Sequence, residues 1–263
     1  MVSSTPRLWR CSSRPCRSTS ASTCWCCATQ SWWRASSRPS HPWPRADLVF
    51  GVGIGGEDRN EVASCGVDPA TRGRRMDDSM TVLRGLLGGE AVTHRGDFFT
   101  VEGTKVLPCP AEPIPIVVGG RSSAAVRRAG RLGDGWLGIW VSPERFAAAV
   151  DQVADEADAA GRARSDWHHG MTVWCGFGQD RAEGERVVAR AMEGIYGVPF
   201  STFARYVPSG TPAEVAGALR PYVEAGCRTF NLLAQSADRS TIAGAVGEVR
   251  RLLDDGSRYG QAG

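Results

Sequence analysis

An abrupt change in composition at Asp47 limits how much of this 263-residue chain can fold as an ordinary globular protein. Residues 1–46 contain no Asp, Glu, Lys or Gly, yet they hold five of the nine Cys and five of the nine Trp. All 32 Gly and all 28 acidic residues follow this point. A segment rich in Ser, Arg, Trp and Cys that lacks acids and glycines matches neither a disordered linker nor a packed core. Only the chain from residue 47 onward therefore has the composition of an ordinary globular domain.

A shifted reading frame is our hypothesis for the first segment. Trp and Cys codons both begin with TG, so a frame read one base earlier turns each of them into a Leu, Val or Met codon. With GC-rich codons, the stretch from Thr23 to Arg34 then reads VLVLRHPVVVA, which is the pattern of an aliphatic strand. We expect residues 1–46 to be out of frame and disordered, residues 47–255 to form the domain, and residues 256–263 to be a flexible tail.

Charge and cysteine usage exclude several classes of function. Residues 47–263 hold 24 basic and 28 acidic side chains, because seven of the 31 basic residues lie before the change in composition. This balance of −4 offers no general basic surface for nucleic acid. Cys24, Cys26 and Cys27 lie together without a second pair at zinc-finger spacing, so we predict no metal site. No apolar run is long enough to cross a membrane and no signal peptide precedes the domain, and we expect a cytoplasmic protein.

Short apolar strands alternate with amphipathic helices from Leu48 onward. The predicted strands are Leu48–Val52, Ile114–Val118, Gly135–Val141, Met171–Phe177 and Thr229–Leu233. The predicted helices are Arg72–Leu87, Ser122–Leu132, Ser142–Ala160, Ala182–Ile195, Thr211–Glu224 and Thr241–Leu253, with a β-hairpin over Val92–Val106. This alternation predicts an α/β fold with a parallel sheet and helical crossovers. Five strands are too few to close an eight-stranded barrel.

Two glycine-rich loops that follow predicted strands are the candidate binding elements. The first, from Gly51 to Gly56, satisfies the G-x-G-x-x-G pattern, but acidic residues follow it where a dinucleotide phosphate would lie. A tight loop at the end of a strand is therefore favoured over a Rossmann site. The second loop is Gly119-Gly120-Arg121-Ser122-Ser123, which opens a helix and is either an anion site or a simple N-cap.

The remaining polar and aromatic candidates are weaker. Trp136 begins a predicted strand and either borders a pocket or belongs to the core. His168 and His169 precede a strand, on the end away from the active face of a barrel, and we expect them to be structural. No catalytic triad, carboxylate pair or metal cluster stands out, as expected where a cofactor carries the chemistry.

In their order along the chain, these motifs resemble the luciferase-like flavin- and deazaflavin-dependent oxidoreductases. The matching segments run from about Leu48 to the last helix and include LVFGVGIG, RGRRMDD, GDFF, PIPIVVGGRS, RRAGRLGDGW and GTP. The resemblance implies a TIM (β/α)8 barrel of which strands 4–8 are recognisable here. It implies coenzyme F-420 or FMN as the cofactor, hydride transfer to or from a small organic substrate, and a homodimer, with no membrane or nucleic-acid partner.

Carried over by motif, the resemblance implies a set of cofactor-binding residues. The glycines of the first loop would lie beside the cofactor, those of the second loop and its serines would hold the cofactor's phosphate, and the tryptophan would border the pocket. The set is Gly51, Gly53, Gly119, Gly120, Ser122, Ser123 and Trp136. Catalytic residues are not assigned by the resemblance.

Counterparts of the family's strands 1–3 are absent from the sequence as written, so we expect a poorly stable chain with weak or no activity. Two alternatives to an oxidoreductase stay open. One is an impaired remnant that only binds an anionic ligand or a partner. The other is a Rossmann-type NAD enzyme.

Overall fold

A computed structural model describes residues 23–24, 49–56, 58–110, 112–162 and 166–259. The strands are β1 (Thr23–Cys24), β2 (Phe50–Gly53), β3 (Val92–Arg95), β4 (Thr100–Thr104), β5 (Ile116–Gly119), β6 (Gly135–Ile139), β7 (Gly170–Phe177), β8 (Ser209–Gly210) and β9 (Thr229–Ser236). The helices are α1 (Arg59–Ser64), α2 (Arg72–Leu87), α3 (Ser123–Leu132), α4 (Pro143–Ala159), α5 (Arg181–Tyr196), α6 (Pro212–Glu224) and α7 (Ile242–Tyr259). Three short 3-10 turns lie at Phe200–Thr202, Ala204–Tyr206 and Arg239–Thr241.

The main sheet is parallel and follows the chain order β1, β2, β5, β6, β7 and β9. Since β9 pairs with β7 along its whole length, β6 and the two-residue β8 share the other edge of β7. β3 and β4 form a separate antiparallel hairpin. The sheet curls into part of a barrel, so the predicted α/β class and the incomplete TIM barrel are confirmed.

We expected no counterpart of the family's strands 1–3, but the structure contains one additional short strand, β1. Thr23–Cys24 pairs in parallel with β2, on the edge of β2 that β5 leaves open. It lies where the shifted-frame hypothesis predicts a strand. We expected residues 1–46 to be disordered, and apart from β1 this segment lies outside the described residues. Residues 260–263 of the predicted tail also lie outside them.

Five helices cover one face of the sheet and enclose the larger core. Side chains of α2, α3, α4, α6 and α7 pack there against alternate residues of β2, β5, β6, β7 and β9. Val52, Val118 and Trp136 point to this face, as do Met171 and Val173 of β7. In a barrel this helix-covered face is the outer one.

The opposite face carries a smaller core built by α5. Trp174 of β7 packs against Val188 and Met192 of α5, and Leu233 of β9 joins this cluster. Trp174 and Leu233 are register partners, so their side chains project from the same face of the sheet. α5 therefore lies on the inner face of the sheet. It covers β7 and β9 and, within the described part of the chain, leaves the rest of that face open.

The helix starts are the best-predicted boundaries. Ser142 caps α4 with Pro143 at its first position, and Thr211 with Glu214 forms a complete capping box on α6. Other elements differ from the prediction, and most strand ends shift by one to three residues, as at β9, which runs to Ser236 rather than Leu233. α1 was not expected, because its six residues are too few for a periodic pattern, and Asp58 alone starts it. α7 extends to Tyr259, six residues beyond the predicted end at Leu253, because no Pro intervenes.

Candidate functional site

The C-terminal ends of β2, β5 and β6 lie side by side and carry the loops singled out from the sequence. Val52 is the register partner of Val118, and Gly119 that of Leu137. Parallel strands end at one edge of the sheet, so the loops that begin at Gly53, Gly119 and Trp140 share that edge. In a barrel, this edge is the active-site face.

Three glycines leave a bare backbone surface on the inner face at this edge. Gly51, Gly53 and Gly119 alternate with the buried side chains of Val52 and Val118, so they face away from the outer helices. A Cβ atom placed on Gly53 would meet no atom within 4 Å, and one on Gly51 would only touch Val117 at 4.0 Å. A flat ring can therefore approach the backbone here.

The loop after β5 opens helix α3 in the geometry of a capped helix start. Gly120 has φ of +131°, a conformation that glycine adopts readily and other residues rarely do. The Ser122 hydroxyl accepts a hydrogen bond from the Ala125 N–H at 3.2 Å, so Ser122 is the N-cap of α3, which leaves an anion site at the same loop open. Ser122 and Ser123 are exposed, and the first turn of α3 carries no acidic residue. The positive end of the helix dipole thus faces open space.

Trp136 lies beneath this loop rather than beside open space. Its side chain is 1% exposed and its ring packs 5.4 Å from that of Phe146. The indole Nε1–H donates to the Gly120 carbonyl at 2.6 Å. Any contribution of Trp136 to ligand binding is therefore indirect, through the position of the Gly119–Gly120 turn.

The structure also shows an aromatic cluster that the sequence did not reveal. Trp140 directly follows β6, and its ring lies 4.4 Å from that of Phe203 and 5.1 Å from that of Tyr196. The Arg121 guanidinium, from the loop after β5, lies 5.7 Å from the Trp140 ring. These residues come from three separate segments with no common motif, so no local pattern could have indicated them.

Two cavities in the described part of the chain lie away from the glycine surface. One, of about 560 Å³, lies between α2, α3 and the β3–β4 hairpin and is lined by side chains that include Asp77, Phe98 and Arg127. The other, of about 490 Å³, lies between α4, α6 and β8 and includes Arg205 and Tyr222. Neither cavity contains any of the predicted cofactor-binding residues.

The described residues form neither a metal site nor a membrane-spanning helix. No three His, Cys, Asp or Glu side chains there lie close enough together to hold a metal ion. None of the described helices combines the length and apolar character needed to span a bilayer. Cys65, Cys109, Cys175 and Cys227 are free thiols.

Comparison with known proteins identifies the family. The model of the luciferase-like monooxygenase family matches residues 44–206, which is more than half of the chain. The chain belongs to this family. The match begins close to the change in composition at Asp47 and contains both glycine loops.

Individual relatives are similar over parts of their length. An uncharacterized protein of Mycobacterium tuberculosis is 41% identical over 95 residues, which are 35% of this chain and 33% of that protein. An F-420-dependent glucose-6-phosphate dehydrogenase of Nakamurella multipartita is 27% identical over 225 residues, 76% of this chain and 66% of the enzyme. The chain thus spans between a third and two thirds of the length of these relatives.

The fold is that of a solved F-420-dependent secondary alcohol dehydrogenase. The two structures align with a TM-score of 0.68 and 21% sequence identity, over 78% of this chain and 69% of that one. The resemblance to the luciferase-like oxidoreductases and the barrel fold are confirmed. The roles of the seven predicted cofactor-binding residues stay predictions.

Proposed function

We propose that the chain is an oxidoreductase that binds coenzyme F-420 or FMN at the C-terminal ends of β2 and β5 and transfers hydride to or from a small organic substrate. The glycine surface carries this proposal, because a tricyclic ring needs a flat wall without side chains. Gly53 supplies that wall, since a Cβ there would project into open space. When bound, such a cofactor supplies the hydride chemistry that the described side chains lack.

The loop after β5 is the proposed phosphate site. Its backbone N–H groups at the start of α3, together with the Ser122 and Ser123 hydroxyls, suit a phosphate group. Gly120 turns the chain toward the helix start, and the Trp136 indole fixes that turn through the Gly120 carbonyl. Trp136 is proposed here as a positioning residue.

The family's other properties come to this chain as proposals. A small organic substrate, a cytoplasmic location and a homodimer fit the family and the free thiols of the described cysteines. F-420 is favoured by the F-420-dependent dehydrogenase that aligns over 76% of the chain, and FMN is the alternative. If the chain is instead an impaired remnant, it should bind the cofactor but should not turn it over. If the chain is a Rossmann-type enzyme, it should bind NADH and neither F-420 nor FMN.

Replacing Gly53 tests the proposed wall. Gly53→Val should leave the urea midpoint nearly unchanged, because no atom lies within 4 Å of the added Cβ. The same substitution should weaken binding of F-420 or FMN at least tenfold, measured by quenching of cofactor fluorescence, since the side chain occupies the ring's place. Gly217→Ala, on helix α6 with similar free space, is the control and should not change binding. Equal affinity in the wild type and Gly53→Val would contradict the proposal.

A further inference from the structure

Three buried side-chain nitrogens in the described part of the chain have no hydrogen-bond partner: Nε of Arg75, Nε2 of His169 and Nε1 of Trp140. Arg75 belongs to the outer helix α2, and its guanidinium lies 4.7 Å from the centre of the Phe98 ring. His169 precedes β7, at the N-terminal end of the strands. Only Trp140 follows the C-terminal end of a strand, where the proposed site lies. Buried donors are nearly always satisfied, so an exception at this edge points to an acceptor that a ligand supplies.

The backbone of Trp140 is strained at the same place. Its φ is +52°, and it is the only described residue other than glycine with a positive φ. For a bulky side chain this left-handed conformation is unfavourable and persists only where the surroundings impose it. The rings of Phe203 and Tyr196 contact the indole and hold it in this orientation. Strain that is maintained beside an unsatisfied donor is typical of a binding position.

Tyr196 contributes a second donor to the same cluster. Its hydroxyl oxygen accepts a hydrogen bond from Trp174 Nε1 at 3.1 Å. This hydrogen bond does not use the O–H of Tyr196, which is left to donate. An indole N–H and a phenol O–H in one aromatic cluster match a single oxygen with two lone pairs, and a carbonyl oxygen has this property.

We propose that Trp140 and Tyr196 bind the carbonyl oxygen of a flat, aromatic substrate, with Phe203 packing against its ring. This proposal rests on the proposed function, in which the substrate exchanges hydride with a cofactor held at the neighbouring strands β2 and β5. A carbonyl carbon is a hydride acceptor, and its oxygen needs donors as negative charge develops on it. Trp140 is thus a specificity-determining residue of the substrate site.

Access to the indole N–H requires a movement of the segment that carries Tyr196 and Phe203. The nitrogen is covered by its neighbours, so an acceptor reaches it only when this segment separates from Trp140. Gly197, with φ of +65°, follows Tyr196 and ends helix α5. Ile195 and Val198, on either side of this point, are 63% and 38% exposed. Tyr196 is the last residue of α5, and Phe203 also packs against the core around Trp174. Only the local contacts of these two rings with the indole have to separate, and a ligand can replace these.

A pair of probes that differ only at the oxygen tests the assignment. Acetophenone and α-methylstyrene have nearly the same shape, with C=O in the first and C=CH2 in the second. Calorimetric titration of the wild type, with and without cofactor, should give about tenfold tighter binding of acetophenone, the gain expected from one hydrogen bond. Trp140→Phe keeps the aromatic ring and removes the donor. It should abolish this preference without weakening the binding of α-methylstyrene.

The unfolding midpoint separates a binding role from a structural one. Because the Trp140 N–H has no partner, Trp140→Phe loses packing but no hydrogen bond, and the urea midpoint should fall no further than in Trp167→Phe. Trp167→Phe, at the N-terminal end of β7, is the matched control and should retain the ketone preference. Tyr196→Phe, as a second variant, should reduce the preference in part.

Several results would overturn the assignment. They are a ketone preference that survives in Trp140→Phe, the absence of any preference in the wild type, and no binding of either probe. Loss of cofactor affinity in Trp140→Phe with an unchanged ketone preference would show that the N–H serves the cofactor instead. A Trp140-dependent ketone preference in a protein that binds neither F-420 nor FMN would overturn the proposed function and leave the donor assignment in place.

Discussion

Asp134 is the buried charge that joins three elements of the fold. Its carboxylate accepts the Ile116 N–H at 2.8 Å and pairs with the guanidiniums of Arg84 at 3.0 Å and Arg162 at 3.5 Å. The side chain is only 5% exposed. A buried carboxylate is tolerated when hydrogen bonds and opposite charges surround it, and the loss of either leaves uncompensated groups behind.

Removing this carboxylate should destabilise the protein strongly. We expect Asp134→Ala to lower the free energy of unfolding by about 3–5 kcal/mol in urea titrations, because both arginines lose their buried partner. Asp97→Asn is the control: its 75%-exposed side chain pairs with the exposed Arg74, and the change should stay within about 0.5 kcal/mol. Similar losses in the two variants would contradict the role given to Asp134.

His169 is buried in a neutral form at the other end of the strands. Its Nδ1 accepts the Trp136 N–H at 3.3 Å, and the ring stacks on that of Trp167. Burial first, and then the charges of Arg228 and His168, lower the pKa of His169 to about 4. This buried position at the N-terminal end of β7 agrees with the structural role that we expected for His169 from the sequence.

This pKa predicts how stability depends on pH. In the unfolded chain His169 titrates near pH 6.5, so between about pH 6.5 and 4 the unfolded state binds more protons than the folded state. The free energy of unfolding should therefore decrease as the pH is lowered from about 6.5 to 4, by about 3 kcal/mol in total from this residue. His169→Gln should remove that part of the loss, as measured by urea unfolding at pH 7, 5.5 and 4. An identical pH dependence in the variant would count against a neutral buried imidazole.

Elements whose signals are local could be predicted from the sequence. α2 has the predicted bounds, and the capped starts of α4 and α6 are where Ser142 and Thr211 place them, because a cap needs only residues within one turn. The two glycine loops were found for the same reason. The position of α5 on the inner face, and the Trp140 cluster that results, depend on contacts between distant segments and leave no periodic signal in the sequence.

Two N-caps allow the phosphate role of Ser122 to be separated from its capping role. Ser122→Ala and Thr211→Ala should each cost about 1 kcal/mol of stability, because each removes a hydroxyl that accepts a backbone N–H at a helix start. Only Ser122→Ala should also reduce the preference for FMN over riboflavin, which lacks the phosphate, by about tenfold. An unchanged preference in Ser122→Ala would assign Ser122 to capping alone.

The molecule as a whole is a partial barrel with an open edge. β7, with neighbours on both edges, is buried along nearly its whole length, whereas every described residue of β9 is at least partly exposed. No described strand pairs with the second edge of β9, and β1 provides only two residues beside β2. An exposed parallel edge is unusual and costs stability, which accords with the expectation of a marginally stable chain.

Restoring the shifted frame should strengthen the β1 edge. Replacing residues 23–33 with VLVLRHPVVVA should lengthen the pairing with β2 and bury aliphatic side chains, raising the free energy of unfolding by about 2 kcal/mol or more. A scrambled segment of the same composition is the control. Urea unfolding of the three proteins measures the effect, and equal stability of the restored and scrambled chains would contradict the frame-shift hypothesis.

We propose that this partial barrel retains the cofactor site of its family. The most direct test of this proposal is an equilibrium titration of the whole purified chain with F-420, FMN and NADH, followed by cofactor fluorescence. We expect saturable quenching of F-420 or FMN at micromolar concentrations and no binding of NADH. Binding of NADH alone, or of none of the three by a protein that shows a cooperative unfolding transition, would contradict it.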